Sequence, residues 1–252
     1  MDTPRNDELA VRGFTNGPLY NSARPDYPIE AVEYLVLTLH LDTSSRVIDL
    51  GAGTGIFSRQ MLPFVGKLTA VDPSLSMRES LIAESPGVEV LEGSDVAIPL
   101  QDHSVEAVFA AQAFHWFDAP RALVEIHRVL TKGGGLGLIW NERDESVEWV
   151  HDLGRAMHWH EEQPYEVGTD FSKAVAAGPF TDVVRVQFPH AQTLTRDGLY
   201  QRVLTTSYIS IMEDGPRAEL MKEVQQVVEK LSEPFVLPYV TEVYTATADL
   251  IP

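Results

Sequence analysis

Val47-Ile48-Asp49-Leu50-Gly51-Ala52-Gly53-Thr54-Gly55 runs directly into Ile56-Phe57-Ser58-Arg59-Gln60-Met61-Leu62. A short apolar run ends in an acid, three glycines follow at alternate positions, and an amphipathic helical pattern begins. A buried parallel strand that feeds a tight turn and a helix has this form. Glycine suits the turn because a Cβ would keep the backbone off a ligand, and because such turns often take positive φ. The N–H groups at the helix start, together with its dipole, favour an anionic ligand group. Spacing narrows the ligand. A dinucleotide-binding turn reads G-x-G-x-x-G, which after Gly51 and Gly53 demands glycine at position 56, where Ile56 stands.

Outward from this stretch, 252 residues are expected to form one domain with a sizeable core. Within it, 1–40 reads as an N-terminal arm and helix, 41–140 as a ligand-binding core, and 141–252 as cap helices and terminal strands. Hydrophobic residues make up 44% and charged residues 22%, the mix of a globular protein. The formal charge of −18, from 19 Lys+Arg against 37 Asp+Glu, repels phosphate backbones, so no nucleic-acid partner is expected. Cysteine is absent, which excludes disulfides, thiol nucleophiles and thiolate metal sites. Met1 to Asp7 lacks the basic and apolar regions of a signal peptide, and no apolar run has bilayer-spanning length. The expectation is a soluble cytoplasmic protein without membrane insertion; the sequence leaves its oligomeric state open.

Residues 1–27 are polar and rich in turn formers, and read as an arm or loop. Arg24-Pro25 and Tyr27-Pro28 hold the backbone extended before a helix near Ile29, whose apolar face carries Val32, Leu35, Val36 and Leu39. Strands are expected at 46–50, 67–71, 88–91, 105–111 and 136–140, with helices between them. Lys132-Gly133-Gly134-Gly135 reads as a helix C-terminal stop. Beyond Asn141 the pattern suggests helices over 145–160, 168–180, 198–211 and 216–231. Strands at 183–188 and 235–247 fit a hairpin on the sheet edge. Alternating strands and helices argue for a doubly wound parallel sheet, whose ligands bind at the carboxyl ends of the strands.

The unusual peptides follow those ends. Asp72, in Val71-Asp72-Pro73-Ser74, is placed to accept ribose hydroxyls; alternatively it or Ser74 caps the helix starting at Leu75. Asp95 sits where an adenine edge would lie, with the Val96 N–H reaching a ring nitrogen; the other reading is a solvated loop acid. Phe114-His115-Trp116-Phe117 offers aromatic faces for a cation and, in His115, a base, a substrate-binding group, or merely a packed corner. Trp140, Asn141 and Arg143 should line a substrate side. Arg143 either steers an anion or pairs with Asp144 or Glu145, and Tyr208 lines the pocket or packs in the core. His151, His158 and His160 near Glu161 and Glu162 lack H-E-x-x-H spacing, so no metal is expected. No G-x-S-x-G elbow marks a hydrolase.

Taken together, Val47–Gly55, Val71–Ser74, Gly93–Leu100, Ala111–Asp118 and Leu130–Gly135 resemble the class I S-adenosylmethionine-dependent methyltransferases. The likeness is to the small-molecule branch with the trans-aconitate and ubiquinone/menaquinone enzymes. It extends more weakly through 199–209 and 235–244. Relatives often carry Ala-Glu where this chain has Asp95-Val96. The resemblance implies an α/β fold with a mostly parallel, seven-stranded Rossmann-like sheet, helices on both faces, and a helical lid in the C-terminal part. It implies S-adenosylmethionine as cofactor and S-adenosylhomocysteine as product. The cofactor would contact Asp49, Gly51, Ala52, Gly53 and Gly55; Asp72, Pro73, Ser74 and Met77; Ser94, Asp95 and Val96; and Ala111 and Gln112. Tyr20 and Arg24 would close over it, with Arg24 on its carboxylate or, alternatively, tied to a surface acid. His115 would act in catalysis, and Trp116, Trp140, Arg143 and Tyr208 would meet the acceptor. The implied reaction is O-methylation of a carboxylate or hydroxyl, or C-methylation, of a small molecule. A cofactor-binding fold without methyl transfer (a non-redox cyclase or regulatory partner) and a nicotinamide oxidoreductase are the rival readings.

Overall fold

A computed structural model describes residues 17–162 and 169–249, so Met1 to Asp7 and the start of the arm lie outside the described residues. The apolar runs form five parallel strands: β1 (Arg46–Leu50), β2 (Lys67–Asp72), β3 (Glu89–Glu92), β4 (Val105–Ala111) and β5 (Leu130–Arg143). Two antiparallel strands, β6 (Phe180–Leu194) and β7 (Phe235–Ala248), complete the order β3-β2-β1-β4-β5-β7-β6. This is the doubly wound, mostly parallel sheet the sequence implies. Both faces of the parallel part are covered, so β1 and β2 are buried beyond their first residue and read as mostly apolar runs, interrupted by Asp49 and Thr69. The edge strand β6 instead alternates, and most of it faces solvent on one side.

The helices are α1 (Gly17–Ala23), α2 (Ile29–Thr38), α3 (Ile56–Met61), α4 (Leu75–Glu84), α5 (Ala119–Val129), α6 (Glu148–Ala156), α7 (Trp159–Glu162), α8 (Ser172–Ala176), α9 (Arg196–Leu204), α10 (Ser207–Ser210) and α11 (Asp214–Val228). Neighbouring residues of one strand feed opposite cores. Val47 joins Val32 and Leu35 of α2 and Phe57 of α3, whereas Ile48 joins Leu123 and Ile126 of α5. A third core, from Val150, Leu199, Val224 and Tyr239, ties α6, α9 and α11 to the start of β7. These cap helices therefore stand at the carboxyl end of the parallel strands.

Four local expectations are corrected. Residues 17–23 are helical rather than loop, consistent with Pro18 in the first turn, where proline's φ suits a helix start. The glycines at 133–135 are not a helix stop. Helix α5 ends at Val129 because Leu130 enters β5 and pairs with Val105, and the glycines form an irregularity before Gly135 pairs with Ala107. The 145–160 helix is broken between α6 and α7, where His158 takes φ 52°. Strand β6 extends well beyond 183–188 because it pairs with β7 along most of its length. No helix among the described residues is long and apolar enough to cross a membrane.

Candidate active site

The glycine turn is fastened to β2 from both sides. The Gly51 and Ala52 amides donate to the Val71 carbonyl at 2.8 and 3.2 Å, and the Gly53 amide donates to Asp72 Oδ2 at 2.8 Å. Asp72 Oδ1 accepts the Ser74 amide, also at 2.8 Å, and Ser74 itself makes no side-chain cap. Asp72 thus organises the turn and the start of α4 together. Its burial raises its pKa, while the Ser74 and Gly53 amides oppose that rise.

The three glycines have separate reasons. Gly51 takes φ +72°, and a Cβ on it would lie 2.7 Å from Ala113 Cβ. Gly53 takes φ +55°, and a Cβ there would meet no protein atom within 4 Å, so this turn residue borders open space. Beneath the turn, Asp49 is fully buried, accepts the Ser58 hydroxyl at 2.6 Å, and leaves Oδ1 without a partner. Burial, with Asp72 adding to it, pushes Asp49 up to about 7.

Above the turn lies a cavity of about 500 Å³, the size of a small-molecule site. Its base is Gly51, Ala52, Gly53 and Thr54; the ends of β2 and β3 add Asp72, Pro73, Ser74, Met77, Ser94 and Asp95. Ala111, Gln112 and Trp116 follow β4, and Tyr20 and Arg24 close it from the arm. These expected site residues are therefore brought together around one space. Gln112 adopts φ 54°, a left-handed conformation that non-glycine residues seldom take, with its amide on the Ile139 carbonyl at 2.8 Å. Asp95 Oδ2 accepts the Asp118 amide at 2.8 Å, so it is not merely a solvated loop acid.

The arm is clamped by residues far along the chain. Gln60 of α3 accepts the Tyr27 amide at 2.8 Å and donates to the Tyr27 carbonyl at 2.7 Å. Asn141 donates to the Asp26 carbonyl at 2.8 Å and accepts the Thr241 hydroxyl at 2.6 Å, so it holds the arm rather than lining a substrate surface. Arg24 Nη2 donates to the Thr205 carbonyl at 2.6 Å, with the Tyr20 ring 4.6 Å from the guanidinium. Among the described residues no acid pairs with Arg24. Burial and then Arg202 lower its pKa to about 10.

Other expected residues lie off the cavity wall. Gly55 is a packing glycine: at φ +80°, its Cβ would collide with Leu81 and Ser85 of the following helix region. Asp49 lies under the turn, and Val96 is not among the residues that line the cavity. Trp140 belongs to the core, 1% exposed and stacked on Phe171 at 4.4 Å, because β5 points it into the α5 side of the sheet. Its indole N–H donates to His115 Nδ1 at 3.2 Å. Burial, with Arg24 second, pushes His115 down to about 3. With Nδ1 accepting, the neutral ring carries its proton on Nε2.

Arg143 faces the cap. It stacks on Trp159 at 3.8 Å and donates through Nη1 to Met157 Sδ at 2.9 Å, without an ion pair to Asp144 or Glu145. Tyr208 donates to the Met157 carbonyl at 2.6 Å, within the cap core. Sequence reasoning missed Tyr27 and Phe57 on the cavity wall, and Arg202 behind Arg24. Apolar or helical residues of this kind carry no local signal of a site. His160 and His151 turn toward Glu145 at 2.7 and 3.7 Å, and His158 toward Glu161 at 3.3 Å. The Glu162 side chain lies outside the described residues, among which no three acid or imidazole groups gather as a metal site.

Comparison with known proteins gives a consistent result. A family described as "Methyltransferase domain" matches residues 48–138. An uncharacterized methyltransferase of Mycobacterium tuberculosis is 36% identical over 233 residues, spanning 90% of this chain and 92% of the relative. A solved putative methyltransferase from an antibiotic biosynthesis pathway of Anabaena variabilis superposes with TM-score 0.66 at 18% identity, covering 89% and 98% of the two chains. The [4+2]-cyclase SpnF superposes with TM-score 0.61 at 17% identity, covering 100% and 99%. At such identities the structural matches speak for the fold alone.

Proposed function

The chain belongs to the class I S-adenosylmethionine-dependent methyltransferases, and from that premise we propose that it methylates a small organic molecule and releases S-adenosylhomocysteine. The observation that carries this reading is the charge layout of the cavity. Arg24 stands on its arm wall, Asp72 and Asp95 border it at the strand ends, and Gly53 leaves its base open. The cofactor bears a carboxylate, an ammonium and a sulfonium, so one cation and nearby acids suit it. The unpartnered Asp49 Oδ1 beneath the turn adds a further acceptor on the cationic side.

In this reading Arg24 holds the cofactor's carboxylate, and the Gly51–Gly53 backbone supports its methionine part. Asp72, whose two oxygens keep spare acceptor capacity beyond the amides, takes the ribose hydroxyls. Asp95 takes the adenine edge. The bound cofactor supplies a methyl group already activated on sulfur. What remains for the protein is to hold the acceptor in line and exclude water. Tyr20, Trp116 and Phe117 close the cavity with aromatic surface. His115, neutral and protonated on Nε2, orients an acceptor as a hydrogen-bond donor.

A small molecule is favoured over a macromolecule because the net charge of −18 repels polyanions and the arm residues Tyr20 and Arg24 close one side of the cavity. The fold does not by itself select transfer over cyclase chemistry. The test is to incubate the protein with S-adenosylmethionine and carboxylic acids, phenols or activated C–H acids, and to quantify S-adenosylhomocysteine and methylated product. Equal accumulation of the two with one acceptor class is expected. Tight cofactor binding without S-adenosylhomocysteine release from any class would favour a role without methyl transfer.

A further inference from the structure

The arm helix α1 is held on two sides by unlike contacts. Toward the cap, Arg24 Nη2 donates to the Thr205 carbonyl at 2.6 Å, and the Ala23 carbonyl accepts Gln192 Nε2 at 3.3 Å. Toward the glycine turn, the contact converges on one atom. Asn21 Oδ1 accepts Arg59 Nη2 at 2.5 Å and the Thr54 hydroxyl at 3.3 Å. Arg59 is seated without the arm: its Nη1 donates to the Thr54 carbonyl at 2.8 Å and to the Ser85 hydroxyl at 3.1 Å. Its guanidinium is thereby fixed between the turn and the end of α4. Thr54 is 1% exposed and directly follows Gly53, the turn residue that borders open space. Turn, Arg59 and arm form one hydrogen-bonded relay beside the cavity.

The identity of residue 21 sets the strength of that relay. Elsewhere this acidic chain gives arginines carboxylates: Arg46, Arg78 and Arg128 hold Glu106, Glu92 and Asp102 at 2.8, 2.7 and 2.6 Å. Across the arm contact Arg59 meets a neutral amide oxygen instead. The acid that acts on Arg59 is Glu84, which belongs to α4 and not to the arm. A guanidinium holds a carboxylate more strongly than an amide oxygen, so the arm carries the weaker kind of partner. One helical turn links this contact to the ligand. The Arg24 amide donates to the Tyr20 carbonyl at 3.1 Å, so Tyr20, Asn21 and Arg24 move together, and Tyr20 and Arg24 both line the cavity. In the functional reading, on which this step rests, Arg24 holds the cofactor's carboxylate, so what frees the arm also frees the ligand. We propose that Arg59 is a positioning residue, and that its bond to Asn21 is the latch whose opening sets the rate of cofactor and product exchange. A neutral partner lets the product leave, whereas a charged one would trap it.

The experiment loads the full chain with tritiated S-adenosylhomocysteine, adds a large excess of the unlabelled compound, and times release by rapid filtration. Asn21→Ala should speed release at least about tenfold, the scale of losing a hydrogen bond to a charged group. The melting temperature of the unliganded protein should not change. Asn21→Asp, which sets a carboxylate against the guanidinium, should slow release at least about threefold. Opposite signs at one position and equal stability are not what a merely structural asparagine gives. In an Arg59→Met background the two Asn21 variants should release at the same rate, because their shared partner is gone. Where Arg59→Met does not fold, Arg59→Lys serves: it keeps the charge, loses the fork, and should narrow the gap between the two. Equal release from the parent and both Asn21 variants would overturn the latch and leave the cofactor reading intact. So would faster release from Asn21→Asp, or a gap that persists unchanged in the Arg59 backgrounds. Failure of the parent to load S-adenosylhomocysteine at all would bring down the cofactor reading, and the latch with it.

Discussion

Trp140, a core residue of β5, donates its indole N–H to Nδ1 of His115 at 3.2 Å, and so sets the tautomer of an imidazole next to the cavity wall. The ring stays neutral well below pH 6, since burial pushes its pKa down to about 3 from an ordinary 6.5. Turnover should therefore show no ionisation near pH 6.5 attributable to His115. His115→Asn should lower the rate without changing the shape of the pH–rate profile. A limb near 6.5 that vanishes in the variant would return His115 to the role of base.

The same depressed pKa has a stability consequence. Between about 3 and 6.5 the unfolded state binds a proton at His115 that the folded state does not. The stabilisation is thus fully present above pH 6.5 and is lost as pH falls through that window. Urea unfolding at pH 7 and pH 4.5 should show a smaller loss of stability on acidification in His115→Asn than in the parent protein.

Asp49 behaves with the opposite sense. Its pKa is pushed up from 3.8 to about 7, so the folded state binds the extra proton, and stability falls as pH rises through that window. Asp49→Asn should gain stability relative to the parent more at pH 8 than at pH 5. A cationic ligand favours the ionised carboxyl, so S-adenosylmethionine affinity should rise as pH passes about 7, and Asp49→Asn should flatten that rise.

Asp72 is the joint between the glycine turn and β2. Asp72→Ala frees the Gly53 and Ser74 amides together. Binding of S-adenosylhomocysteine should weaken by about 1–3 kcal/mol, the scale of losing a charged hydrogen-bond partner. Stability should drop as well, read from the urea midpoint. Unaltered affinity would remove Asp72 from the site.

Gly53 borders open space at positive φ. Gly53→Val should fold with a loss of about 1–2 kcal/mol from the left-handed backbone. It should bind S-adenosylhomocysteine at least about 100-fold more weakly, because its side chain enters the ligand's space. Affinity within tenfold of the parent would show that no ligand approaches this turn.

Much of the site was legible because its peptides each follow a strand end within a few residues. Gly51, Asp72, Asp95 and Gln112 are placed by the strands immediately before them, and those strands announce themselves as buried apolar runs. Residues whose environment comes from distant partners were not legible. Arg24 meets Thr205 across 181 positions, and Asn141 meets Asp26 across 115, so neither role appears in local spacing. Trp140 was expected at the acceptor, yet the register of β5 turns it into the core beside Phe171. Arg202 looks like any helical cation until the fold buries it. The glycines at 133–135 carry a stop signal, but pairing of Leu130 with Val105 ends the helix first.

Whether the space above Gly51–Thr54 holds S-adenosylmethionine is decided by calorimetric titration of the purified protein with S-adenosylmethionine, S-adenosylhomocysteine and NADH. The first two should bind one-to-one in the micromolar range, and NADH should give no heat. Binding of NADH without the other two would contradict S-adenosylmethionine as the ligand.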